Sequence, residues 1–154
     1  MAGPSSSVYI QHKVTLVGQP TDMSCWSAAV TMITGNTFSA GPGSASVAES
    51  GGLSPDDNNI YTFAQSQGLR VFALQTWSVE GLINLLRNGP VAMLGVMPRR
   101  HSVVIAGIAS EGTPDTTVLT IYDPYPVLKG QIMKVNYQQL MTTFPLSTMY
   151  MLQR

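Results

Sequence analysis

The chain has one cysteine, Cys25, in 154 residues. One thiol cannot close an internal disulfide, so no disulfide framework holds this fold. The only histidines, His12 and His101, cannot complete a cysteine-rich structural zinc site with it. No metal and no other cofactor is expected. Charge is also scarce: charged residues make up 10% of the chain, against a usual share of about 25%. Eight basic and eight acidic side chains cancel, and the basic ones are scattered apart from Arg99-Arg100. Nucleic acid and anionic membranes need a basic surface, so neither is expected as the main partner, whereas a sparsely charged surface suits contact with another protein. No apolar run approaches the roughly 18–20 residues that span a bilayer. The opening MAGPSSSVYIQHK lacks a basic stretch followed by a long apolar one, so no secretory signal is read there.

What is present suffices for one core. Hydrophobic residues form 44% of the chain, which suits a single domain over 8–154 behind a loose tail, 1–7. Ser24 can cap a short helix from Cys25, with Ala28, Ala29, Met32 and Ile33 inward and Gly35 ending it. GNTFSAGPGSASVAESGG (35–52) has little to bury and reads as a long loop. Ser54-Pro55 opens a second helix to about Gln67, with Asp56 and Asp57 at its positive end and Gly68 after it. RVFALQT reads as a strand, and Ser78 caps a helix VEGLINLLRN closed by Gly89-Pro90. Strands then dominate: PVAMLGVM, HSVVIAGIA, TTVLTIYD and GQIMKV, with a last helix YQQLMTTF capped by Asn136 and a terminal strand STMYMLQ. Helices first and an antiparallel sheet second make an α+β fold.

His101 begins the strand HSVVIAGIA, and Asp123 ends the next, TTVLTIYD. The linker SEGTPD, with Gly112 and Pro114, suits a turn. A hairpin centred near Gly112 would set His101 directly opposite Asp123, their Cβ atoms about 5 Å apart on one face. A slip of one residue would put Asp123 on the other face. Pro124 keeps the aspartate extended. A carboxylate beside a histidine fixes its tautomer and stabilises the imidazolium. Spacing alone leaves two readings open: a working pair, or a strand-end histidine and an Asp-Pro turn.

Cys25 stands at the first turn of its helix, where the helix dipole and a nearby imidazolium would both favour the reactive thiolate. Gln19, six residues before it in QPTDMSCW, can neither titrate nor attack. Its amide can only donate or accept, and with the Cys25 backbone N–H it could hold an oxyanion. By itself Gln19 reads as an ordinary exposed glutamine. His12, in the strand-like VYIQHKVTLV, reads as a surface or core histidine. The nine methionines read as core filler, Trp26 as an anchor under the first helix and Trp77 as a core residue.

Taken together, QPTDMSCWSAAVTMI, HSVVIAGI and VLTIYDPYP resemble a papain-like cysteine peptidase. The histidine strand and the strand ending Asp-Pro are similar to bacterial peptidases that cut leader peptides after a double glycine. MSCWSAA is closer to small papain-like effector proteases injected into other cells. The resemblance covers residues 12–126. It implies a papain-like fold with the catalytic helix packed on an antiparallel sheet, and peptide-bond hydrolysis in a protein substrate through a thioester. It assigns Cys25 as nucleophile, His101 as base and acid, Asp123 as its orienter and Gln19 as oxyanion donor. It further implies a bacterial protein that leaves the cytoplasm, if at all, by a route without a signal, and a cognate immunity or inhibitor protein over the cleft. Papain has asparagine as its third residue, whereas the export-linked peptidases have aspartate, as here. Gly51-Gly52 raises self-cleavage, against which Glu49 stands where leader substrates carry an apolar residue. Rival readings are another thiol acyl-transfer enzyme, such as a transglutaminase, deamidase or cell-wall amidase, and a non-catalytic module that keeps the fold.

Overall fold

The computed structural model describes residues 7–18, 25–35, 57–95, 101–143 and 149–154. The expectations for Gln19, the Ser24 cap and most of loop 35–52, including Gly51-Gly52, fall outside these residues. Seven strands form one antiparallel sheet: β1 Val8–Gln11, β2 Arg70–Phe72, β3 Val91–Gly95, β4 Ser102–Ser110, β5 Val118–Asp123, β6 Gln131–Asn136 and β7 Met149–Gln153. Their order is β2-β7-β3-β4-β5-β6, and β1 pairs with the second half of β4. The described helices are α1 Cys25–Thr34, α2 Asp57–Ser66, α3 Val79–Leu86 and α4 Tyr137–Thr143. The α+β class read from the sequence holds.

Helix ends follow local chemistry. In α1, Ala28, Ala29, Met32 and Ile33 are buried as their spacing requires, and Gly35 ends it at φ 77°, where a side chain would strain the backbone. Ser78 Oγ accepts from the Gly81 N–H at 3.0 Å, satisfying one of the orphan donors that open α3. Asn136 Oδ1 accepts from the Gln139 N–H at 2.7 Å while Gln139 Oε1 accepts from the Asn136 N–H at 3.0 Å, a reciprocal cap for α4. RVFALQT departs from expectation: only Arg70–Phe72 pair with β7, and 73–78 run irregularly into α3.

The sheet separates two apolar layers. Val91, Met93, Val103 and Ile105 face Leu82 and Leu86 of α3 and Leu140 of α4. The alternate residues Ala92, Leu94 and Val104 face Trp26, Ala29 and Ile33 of α1 and Phe63 of α2. Burying a side chain such as Leu82 stabilises the fold by about 1.5–3 kcal/mol. Trp26 anchors α1 on α2 through an edge-to-face contact with Phe63, centroids 5.0 Å apart.

One detail of register governs the site. In the β4–β5 pair, Val104 faces Tyr122 and Ile105 faces Ile121, and a bulge between Ile105 and Gly107 shifts the rest. Carried on, this sets Asp123 opposite Val103, with His101 two residues further along. The expected direct opposition of His101 and Asp123 is therefore corrected to a diagonal one. His101 stands just before β4 and Asp123 at the end of β5, so their side chains meet at one end of the sheet, 2.7 Å apart. Gly107 is required at the bulge, since a Cβ there would lie 2.6 Å from Gln11 Oε1 and from the Ile10 carbonyl oxygen in β1.

Candidate active site

Three elements bring three side chains together. Cys25 is the first residue of α1, the end at which a helix dipole carries its positive potential. The helix lies over β3 and β4, which brings its start toward His101 at the head of β4. Asp123 closes β5 beside it.

The His101 Nε2–H donates to Asp123 Oδ1 at 2.7 Å. An ionised carboxylate only accepts, so this bond assigns a proton to Nε2. The other ring nitrogen, Nδ1, is left for Cys25, with which His101 also hydrogen-bonds. Asp123 Oδ1 further accepts the backbone N–H of Tyr125 at 2.9 Å. Asp123 is buried, while the His101 side chain is 29% exposed. Cys25 is buried too.

Burial by itself lowers the His101 pKa. The hydrogen bonds to Asp123 and Cys25, and the charges of both, outweigh it and raise the imidazole from 6.5 to about 9. His101 therefore carries its proton throughout the neutral range, held between Asp123 and Cys25. The His101–Asp123 contact is the one salt bridge formed among the described residues. Such a set can supply a nucleophile, a proton carrier and a group that fixes the carrier's orientation. Among the described residues no cluster of three or more His, Cys, Asp or Glu could hold a metal ion, and no helix is long and apolar enough to cross a membrane.

Two supports for the site were not visible in the sequence. Tyr125 holds the carboxylate through its backbone N–H, a contact that no side-chain pattern announces. Close backbone contacts also tie the segment before Gln19 to the turn after Asp123. A Cβ on Gly18 would lie 2.4 Å from the Leu128 carbonyl carbon, and one on Gly130 would lie 2.9 Å from the Asp123 carbonyl oxygen. Glycine permits both approaches. His12, as expected, is not part of the site: its ring Nε2–H donates to the Leu86 carbonyl at the end of α3.

The sequence pattern of the family described as "Papain-like cysteine protease AvrRpt2" matches residues 6–142. No curated protein and no solved structure matches the chain.

Proposed function

The chain belongs to the papain-like cysteine protease family of AvrRpt2 and is a hydrolase acting on peptide bonds of proteins; within that activity we propose that Cys25, His101 and Asp123 carry the reaction. The observation behind this reading is that His101 hydrogen-bonds Cys25 and Asp123 at once.

The Cys25 proton already rests on His101 Nδ1 in the reactive form, and the thiolate attacks the scissile carbonyl carbon. The carbonyl oxygen becomes an oxyanion, for which the Cys25 backbone N–H and the Gln19 amide are the proposed donors. The C–N bond breaks as Nδ1–H protonates the leaving amine, and the acyl group stays on sulfur as a thioester. Water then attacks the thioester, giving its proton to Nδ1. The C–S bond breaks, the product acid departs and loses its remaining proton to solvent, and the Cys25 thiolate is left beside the His101 imidazolium as at the start. Throughout, Asp123 holds Nε2–H, so that Nδ1 faces the sulfur and the imidazolium is stabilised as it forms.

Cleavage after paired glycines, and service as a secreted bacterial effector countered by an immunity protein, are the finer parts of the proposal. They rest on the likeness of HSVVIAGI, VLTIYDPYP and MSCWSAA noted above. The test is to compare new protein amino termini in a bacterial lysate treated with wild type and with Cys25→Ala. The reading requires cuts made by the wild type alone. Ammonia release or muropeptide cleavage without new amino termini would favour a rival thiol enzyme.

A further inference from the structure

A groove of about 560 Å³ opens on the sheet face that carries α1. It is lined by Thr120 and Tyr122 of β5, Lys134 of β6, and Gln11, Lys13 and Thr15 of the amino-terminal segment. Tyr122 packs on the apolar layer beneath α1 and immediately precedes Asp123. Thr120 pairs directly with Lys134, and Tyr122 with Ile132, so the β5–β6 ladder leads from the ammonium group toward Asp123.

The charge of this groove is one-sided. Lys13 and Lys134 are two of only three lysines in the chain. Both are exposed, and neither forms an ion pair with a described residue. Among the described residues no carboxylate lines the groove, whereas Thr15, Thr120 and Tyr122 add hydroxyl groups. In a chain of zero net charge this concentrates positive potential and hydrogen-bond donors in one concave place. At the end near Asp123 the surface turns apolar, with Ile132 52% exposed and Tyr125 52% exposed.

From this complementarity we propose that the groove is a substrate subsite for an acidic peptide segment, bound outside the scissile bond. Thr120 lies three strand positions from Asp123, or about 10 Å. An acidic side chain about three residues from the cut would reach Lys13 and Lys134, with an apolar residue over Ile132 and Tyr125 between. The proposal rests on the peptidase reading above and adds to it the class of sequence the enzyme prefers.

The test separates binding from cleavage. Fluorescein-labelled hexaglutamate is titrated against the full chain carrying Cys25→Ala, with fluorescence anisotropy as readout. Lys13→Gln with Lys134→Gln, introduced together into that protein, should weaken binding about tenfold, since each exposed ion pair contributes up to about 1 kcal/mol. Circular dichroism checks that the variant is folded. Absence of saturable binding, equal affinity in the variant, or tighter binding of an oligothymidylate of equal charge would each overturn the proposal. Cut sites in a lysate peptide library supply the second arm. Acidic residues should be enriched about three positions from wild-type cuts, and the lysine variant should lose that enrichment while still cutting peptides without it. Hexaglutamate binding without any cysteine-dependent cutting would leave the groove standing and remove the peptidase mechanism.

Discussion

Asp123→Asn isolates the charge that supports His101. The side chain keeps its size, and its amide oxygen can still accept from the Tyr125 N–H and from His101 Nε2–H. Only the negative charge is lost. A hydrogen bond to a charged group contributes about 1.5–3 kcal/mol, where a neutral one contributes about 1 kcal/mol. At 1.36 kcal/mol per pH unit, losing that support lowers the His101 pKa by about 0.4–1.5 units. Burial, the largest influence on this group, continues to push it down, while Cys25 continues to push it up. The value should therefore fall from about 9 to nearer neutrality. The chain has two histidines, so nitrogen-15 NMR of histidine-labelled protein resolves the titration, and His12→Gln assigns the signals. The alkaline limb of kcat/KM should move down by the same interval, because His101 must hold a proton to release the amine. An unchanged midpoint in Asp123→Asn would show that the 2.7 Å contact does not govern the imidazole, and the reasoning would fail.

Wild-type kcat/KM should decline as pH rises through about 9, where His101 loses its proton; a profile flat to pH 10 would contradict its role as the acid. The same group is linked to stability. Its folded value lies above the unfolded 6.5, so its favourable contribution is complete below 6.5 and disappears as pH rises through about 9. Allowing for a side chain 29% exposed, about 2–3 kcal/mol is at stake, measurable by urea unfolding at pH 6 and pH 10. Gly107→Ala forces a Cβ against the β1 backbone and should cost about 2 kcal/mol, lowering Tm by about 4–8 °C. Ser78→Ala removes the α3 cap, far from the site, and should cost about 1 kcal/mol while leaving kcat/KM unchanged.

Features set by neighbours along the chain were legible in the sequence. The inward residues of α1, the Ser78 cap and the Asn136 start of α4 follow from spacing and local hydrogen bonding, and each holds in the structure. Features set by the meeting of distant segments were not. The β4–β5 hairpin turns beyond Gly112, and the bulge between Ile105 and Gly107 changes its register by one residue, so Asp123 falls opposite Val103 rather than His101. The pair meets nonetheless because both side chains stand at the same end of the sheet. The helices also divide between the two faces of the sheet, α1 and α2 on one and α3 and α4 on the other, a separation that their order does not reveal. Basic residues that look scattered along the chain include Lys13 and Lys134, which the fold brings to one groove. Gln19 lies outside the described residues, so its role rests on its place before Cys25.

The central claim is that His101 activates Cys25, and the alkylation rate of that single cysteine measures it most directly. Wild type and His101→Ala are treated with iodoacetamide at pH 6 and followed by intact mass. The account predicts one adduct, absent in Cys25→Ala, forming at least about tenfold faster in the wild type, because an imidazolium beside the sulfur favours the reactive thiolate. Equal rates in the two proteins would contradict it.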